Sequence, residues 1–417
     1  KPTATVKKYY ESRTGFAEGK RLEEEGDFAG ALAAYGKVIK EEKDDYADAQ
    51  LRISALDAKV SDELITQADA LIAKGRYWDA EKLFADLDED TKKLPEIAAK
   101  LTEIKTKQEE YENNLVEYNG TVEHLFTHAL IAFPDMAVAG NTRSAMDNDC
   151  LFVSEFKAIL EQLYENNYIL IDINDTIEIT EVDGKEKISK AKLMLPEGKK
   201  PLILSFDDIV YDPRKRNAGM IDKLIVKDGK VQTYTKIDAT GEEIISDDNE
   251  CVPILDNFVA EHPDFSFKGA KGTLCITGFC GVLGYRTHRD SPNRDSEIAA
   301  AKEVVQVLKD SGWNFASHDY AHKHVKQAST AEVEDDATKW DNESKNVLGE
   351  TQVFVWPYGE WVAEDDERHQ VLIDHGFRIF CGVGGMPYMI AKDQTLFMDR
   401  RPMDGYSLRN FRQKYLR

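Results

Sequence analysis

Apolar positions fall along this chain with two different periods. Over residues 1–116 they recur three and four residues apart among Ala, Glu, Lys and Leu, with few Pro or Gly, which is the spacing of one helix face. Two segments resemble each other, Gly26-Asp27-Phe28-Ala29-Gly30-Ala31-Leu32 and Gly75-Arg76-Tyr77-Trp78-Asp79-Ala80-Glu81, and each follows a helical stretch. Residues 101–118 read as a long polar helix leading out. From residue 117 onward, short apolar runs alternate with amphipathic stretches. The runs predict strands at 124–127, 129–132, 168–171, 201–206, 272–277, 314–316, 352–356 and 378–381. The stretches predict helices at 155–166, 297–311 and 331–348, and Asp228-Gly229 predicts a hairpin over 224–237. This β-then-α order predicts an α/β fold with a parallel barrel or sheet, whose chemistry sits just after strand C-termini. Two domains follow: a helical one over 1–116 and an α/β one over 117–417.

Composition narrows the partners. A formal net charge of -23 argues against nucleic acid, whose phosphates need clustered Lys and Arg, and against adsorption to an anionic membrane. The sequence contains no run of 18 apolar residues, so no membrane span is expected. The chain opens on Lys1, and any leader or anchor is expected to lie upstream. The five cysteines form no Cys-x-x-Cys pair and read as small buried hydrophobes.

Three stretches, each after an apolar run, carry candidate chemistry. Ser205-Phe206-Asp207-Asp208 puts two carboxylates at a strand end. Neighbouring strand side chains point to opposite faces, so one can bind a metal while the other faces a water. Ala316-Ser317-His318-Asp319-Tyr320-Ala321-His322 sets two His four apart, on one side of a helical turn, where they can share a cation. Phe354-Val355-Trp356-Pro357-Tyr358-Gly359 makes a rigid turn lined by flat rings that suit sugar faces. Each alone also reads as ordinary turn or core. A Gly-rich stretch at 276–288 lacks the Lys-Ser/Thr of a phosphate loop and offers Tyr285 and Arg286 as sugar contacts. His288-Arg289-Asp290 matches a non-haem iron pattern but lies in a polar loop.

Taken together and in this order, the three stretches resemble the polysaccharide deacetylase family (carbohydrate esterase family 4, the NodB-homology domain), over roughly residues 120–417. That family carries Thr-Phe-Asp-Asp, His-[Ser/Thr]-x-x-His and Arg-Pro-Pro-Tyr-like motifs. His124-Leu125-Phe126-Thr127-His128-Ala129-Leu130-Ile131 and the Trp-Pro-Tyr-Gly turn look like the branch of poly-N-acetylglucosamine deacetylases. The resemblance implies a distorted (β/α) barrel. It also implies Asp207 as catalytic base, with Asp208, His318 and His322 as ligands of a divalent metal, usually zinc. By the same resemblance the Tyr358 backbone N–H holds the oxyanion, His128 protonates the leaving amine, and Trp356 and Pro357 line the substrate. The sequence departs from the family at Ile209, where Gly is usual, at Asp319 for Ser or Thr, and at Val355 for the Arg that orients the base. Arg400 or Arg401 is the expected substitute. The family's Leu-His motif is not visible. In the N-terminal region the paired segments look tetratricopeptide-like, although they stand 49 residues apart and the usual repeat is about 34. That region is expected to bind a protein partner or to act as a spacer.

The expected function is metal-dependent removal of N-acetyl groups from a cell-wall or exported polysaccharide, outside the cell or at its surface. The alternative is a degenerate deacetylase-like protein that binds glycan or serves as a scaffold.

Overall fold

The protein is described from a computed structural model covering residues 4–85, 87–89, 91–139, 143–215 and 218–415. The chain divides into two units, Lys1–Asn113 and Asn114–Arg417.

In the first unit, helices span Ala4–Glu25, Phe28–Tyr35, Lys43–Ala73, Tyr77–Lys82 and Pro95–Glu112. Gly26 and Gly75 take positive φ where one helix gives way to the next, a conformation that costs glycine little. Asp27 caps the second helix by accepting the Gly30 N–H. The long Lys43–Ala73 helix contributes to two separate cores. Ala49 and Leu56 pack with Ala31, Tyr35 and Val38, while Ala68 packs with Ala80, Phe84, Ile97 and Ile104. The polar helix expected over 101–118 stops at Glu112. Val116–Glu117 instead pairs antiparallel with Met194–Leu195, where β-branched Val116 is better suited.

The second unit is a closed parallel barrel of seven strands. They are β1 (Glu123–His128), β2 (Lys200–Asp207), β3 (Thr273–Ile276), β4 (Asn314–Ser317), β5 (Val353–Val355), β6 (Ile379–Val383) and β7 (Thr395–Pro402). They pair in chain order from β2 to β7, and β1 closes the ring between β7 and β2. The first half of β2 also pairs with Tyr168–Leu170, so only its last residues, Ser205 to Asp207, meet β3. Helices Val153–Glu165, Cys251–Glu261, Arg294–Asp310, Thr330–Trp340 and Glu367–Asp374 connect the strands. The helix expected over 331–348 gives way at Asp341–Lys345 to one wider turn. The expected hairpin forms from Lys223–Lys227 and Lys230–Lys236, with Asp228 and Gly229 both at positive φ, as a tight primed turn requires. Residues 129–132 form a loop, because β1 ends at His128.

Alternation along β2 decides what faces inward. Leu202, Leu204 and Phe206 pack outward among the helices, with the Phe206 ring 5.8 Å from Phe156. Ser205 and Asp207 therefore face the barrel interior, where His124 and Arg400 meet them.

Candidate metal centre and catalytic cleft

A cleft of about 920 Å³ opens over the C-terminal ends of the strands, lined among others by Phe126, His128, Asp207, Asp208, His318, His322, Trp356, Tyr358 and Arg400. Its floor is an ion pair. Arg400 is buried at 1 % exposure and grips Asp207 through both carboxylate oxygens, at 2.7 and 3.0 Å. The guanidinium lies 4.2 Å above the Phe126 ring and donates to the Ser205 hydroxyl at 3.2 Å and the Gly382 carbonyl at 3.3 Å. His124 shares Ser205 at 2.9 Å. Burial pushes the Asp207 carboxyl upward, but Arg400 and then His318 outweigh it and hold the group below the usual carboxylate range. Asp207 is therefore ionised and fixed.

Asp208, His318 and His322 each offer a ligand atom, and these lie within 4.8 Å of one another. It is the only such group of three or more among the described residues, so His288 and Asp290 belong to none. The second nitrogen of His318 is committed. Its Nδ1 donates to the Val355 carbonyl at 2.9 Å, leaving Nε2 with a lone pair toward the cleft, 3.7 Å from Asp207. Burial, then the neighbouring His318 ring, lower His322 to about 4, so at neutral pH it is the uncharged form that can bind a cation. Two imidazoles and a carboxylate on one side suit a divalent ion, zinc included. The residues present fit such a group.

The backbone reaches these positions under strain. Asp208, Asp319, His322 and Tyr358 all have φ between 52 and 62°, which is uncommon outside glycine. The loop between the two His is pinned by Asp336, whose buried carboxylate accepts the N–H of Tyr320 at 2.6 Å and of Ala321 at 3.2 Å. Asp319 closes the turn onto His322 by accepting the Lys323 N–H at 2.7 Å. Burial, and then the facing Asp336, push Asp319 well up.

The other sequence candidates divide by place. His128 lines the cleft, and its Nδ1 donates to the Asp149 carbonyl at 2.8 Å, leaving Nε2 available. Tyr358 is half exposed at the rim, its ring 4.5 Å from His322 and stacked 3.8 Å on His324. Trp356 and Pro357 are buried, and Trp356 forms part of the wall. Arg286 and Arg401 are directed elsewhere. The Arg286 guanidinium is taken up by the carbonyls of Val210, Tyr211 and Cys280, which anchors a loop, and Arg401 pairs with Glu123. Of the two arginines expected to orient the base, the structure brings Arg400 to Asp207. Sequence reading missed Asp336, His324 and Phe126. His324 could have been noticed two residues beyond His322, whereas Asp336 carries no local signal.

The second unit is thus a closed parallel β/α barrel that carries Asp208, His318 and His322 at its strand ends. Residues 270–380 match the model of the polysaccharide deacetylase family. The matched stretch includes His318, His322 and Tyr358 but not Asp207, Asp208 or Arg400. No protein of curated function matches the chain. Among solved structures, the chain is similar to the Streptococcus pyogenes deacetylase PplD in complex with acetate, at 14% identity and TM-score 0.40, over 72% of this chain and 99% of that one. It is also similar to a de-N-acetylase from Aggregatibacter actinomycetemcomitans, at 12% identity and TM-score 0.39, over 69% and 96%. A third likeness is to the BpsB deacetylase domain from Bordetella bronchiseptica, at 14% identity and TM-score 0.35, over 69% and 99%.

Proposed function

We propose that this protein is a metal-dependent polysaccharide deacetylase that removes N-acetyl groups from an N-acetylglucosamine-type glycan, exported or in the cell wall. The observation that carries this reading is the placing of the Asp208, His318 and His322 ligand atoms beside an ionised Asp207 held by Arg400 in one cleft.

Asp208, His318 and His322 would hold the divalent ion, zinc in this reading. When bound, the ion supplies a Lewis acid for the acetamide carbonyl and lowers the pKa of water. Asp207 accepts the proton of the attacking water, and Arg400 keeps that carboxylate charged and aimed. The Tyr358 backbone N–H faces the developing oxyanion. His128, protonated on both ring nitrogens with Nδ1–H held by the Asp149 carbonyl, gives its Nε2 proton to the leaving amine and is left neutral. Trp356 shapes the acetyl and sugar wall, and buried Pro357 sets the turn that carries Tyr358. The binding-only alternative rests on the missing motif arginine and the missing Leu-His motif; Arg400 on Asp207 answers the first and favours catalysis. In the same reading the enzyme works outside the membrane, and the N-terminal helices form a tetratricopeptide-like surface for a protein partner.

The test is acetate release from N-acetylglucosamine oligomers. Chelation and Asp207→Asn should each abolish it, the latter by about 10²–10⁴-fold. Release that persists unchanged in Asp207→Asn would defeat the mechanism.

A further inference from the structure

On the opposite face of the β6–β7 wall lies a second, smaller cavity of about 260 Å³, which is not part of the cleft but shares Trp356 with it. Register explains its chemistry. Arg400 points into the barrel, so its strand neighbour Asp399 points outward. Asp399 stands opposite Gly382 on β6 and opposite Tyr388 on the antiparallel strand Tyr388–Lys392. Gly382 and Gly384 leave its carboxylate room, since a Cβ at either would come within 3.0 Å and 2.5 Å of an Asp399 oxygen. The position of a Cβ on Gly382 is also 4.0 Å from the Trp361 ring. A carboxylate thus sits in a gap between two aromatic side chains, Trp361 and Tyr388, which are 56 % and 52 % exposed at the mouth.

Asp399 is half-buried, and burial raises its carboxyl. No hydrogen-bond donor or cation among the described residues meets its side chain. The other acid of the cavity, Glu364, is already paired with Lys392. At the back, Trp356 is fully buried and its Nε1 has no acceptor among the described residues. Flat apolar faces and one unpaired carboxylate match a sugar ring that carries a positive charge.

We propose that this cavity is a subsite for a hexosamine unit with a free ammonium group, so that the protein holds glycan already deacetylated nearby. The proposal rests on the glycan reading above and names a second ligand chemistry for it. The volume lies just under the ~300 Å³ at which small-ligand pockets begin, which suits one sugar unit. Asp399 receives the ammonium, and Trp361 and Tyr388 flank the ring.

The experiment is calorimetric titration of the full chain with a fully deacetylated glucosamine tetramer at about pH 6, where an amine is charged. This ligand has no acetyl group, so binding is read without turnover. Asp399→Asn should weaken it about tenfold, the scale of one charged hydrogen bond, and should leave binding of the N-acetylated tetramer unchanged. Trp361→Ala, at an exposed ring whose loss does not threaten folding, should weaken both. Equal affinity of wild type and Asp399→Asn for the glucosamine tetramer, or no binding by wild type, would overturn the subsite. Asp399-dependent binding in a protein that releases no acetate would keep the subsite and defeat the deacetylase reading.

Discussion

Arg400 and Asp207 form a buried pair in which each charge depends on the other, because neither has water to replace its partner. Arg400→Met therefore leaves a carboxylate uncompensated inside the barrel. Urea denaturation should show a loss of about 3–5 kcal/mol, and acetate release should fall as Asp207 takes up a proton and turns. A variant as stable as wild type would contradict the pairing. Glu250 gives a second test. It is fully buried, caps the Cys251–Glu261 helix, and accepts the Leu130 N–H two residues beyond His128. Burial raises it to about 7 from an ordinary value of 4.5, although the N–H groups of Cys251 and Leu130 pull the other way. The folded state thus binds a proton that the unfolded state has lost between about pH 4.5 and 7. Its contribution to stability is present below that window and declines as pH rises through it, by on the order of 3 kcal/mol. Glu250→Gln should flatten that slope in denaturation curves taken at several pH values. An unchanged slope would refute it.

The elements show which parts of this site a sequence reveals. Asp207-Asp208, His318 with His322, and Trp356-Pro357-Tyr358 each follow a short apolar run, so local pattern alone places them at strand ends, and the barrel brings those ends together. Arg400 could only be named beside Arg401, because its partner is 193 residues away and the pairing depends on which of two adjacent side chains faces inward. The polar pattern over 101–118 extends past the helix end at Glu112 for a similar reason. Val116 leaves the helix to pair with Leu195, a contact that helical spacing does not encode. Asp336 lies on a helix, yet its function is to accept two N–H groups of the strained loop between His318 and His322. Asp336→Ala should cost about 1–3 kcal/mol through those unmet donors. It should also loosen metal retention during dialysis more than a surface Asp→Ala does, and equal retention would contradict that role.

At the scale of the whole molecule, the two units have separate cores, and every cleft residue named above belongs to the second. Residues 114–417 alone should therefore fold cooperatively and retain acetate release, as a melting curve and an assay on the truncated chain would show. Loss of activity in a folded truncation would bring the helical unit into the chemistry. None of the helices described is long and apolar enough to cross a membrane. The central claim is that Asp207 works as a base beside a metal held by Asp208, His318 and His322. The most direct measurement is acetate release from an N-acetylglucosamine oligomer by metal-stripped protein reconstituted with zinc, for wild type, Asp207→Asn and His318→Ala. The account predicts release by wild type only, with zinc retained by Asp207→Asn and lost from His318→Ala. Equal release by all three, or zinc bound as tightly by His318→Ala as by wild type, would contradict it.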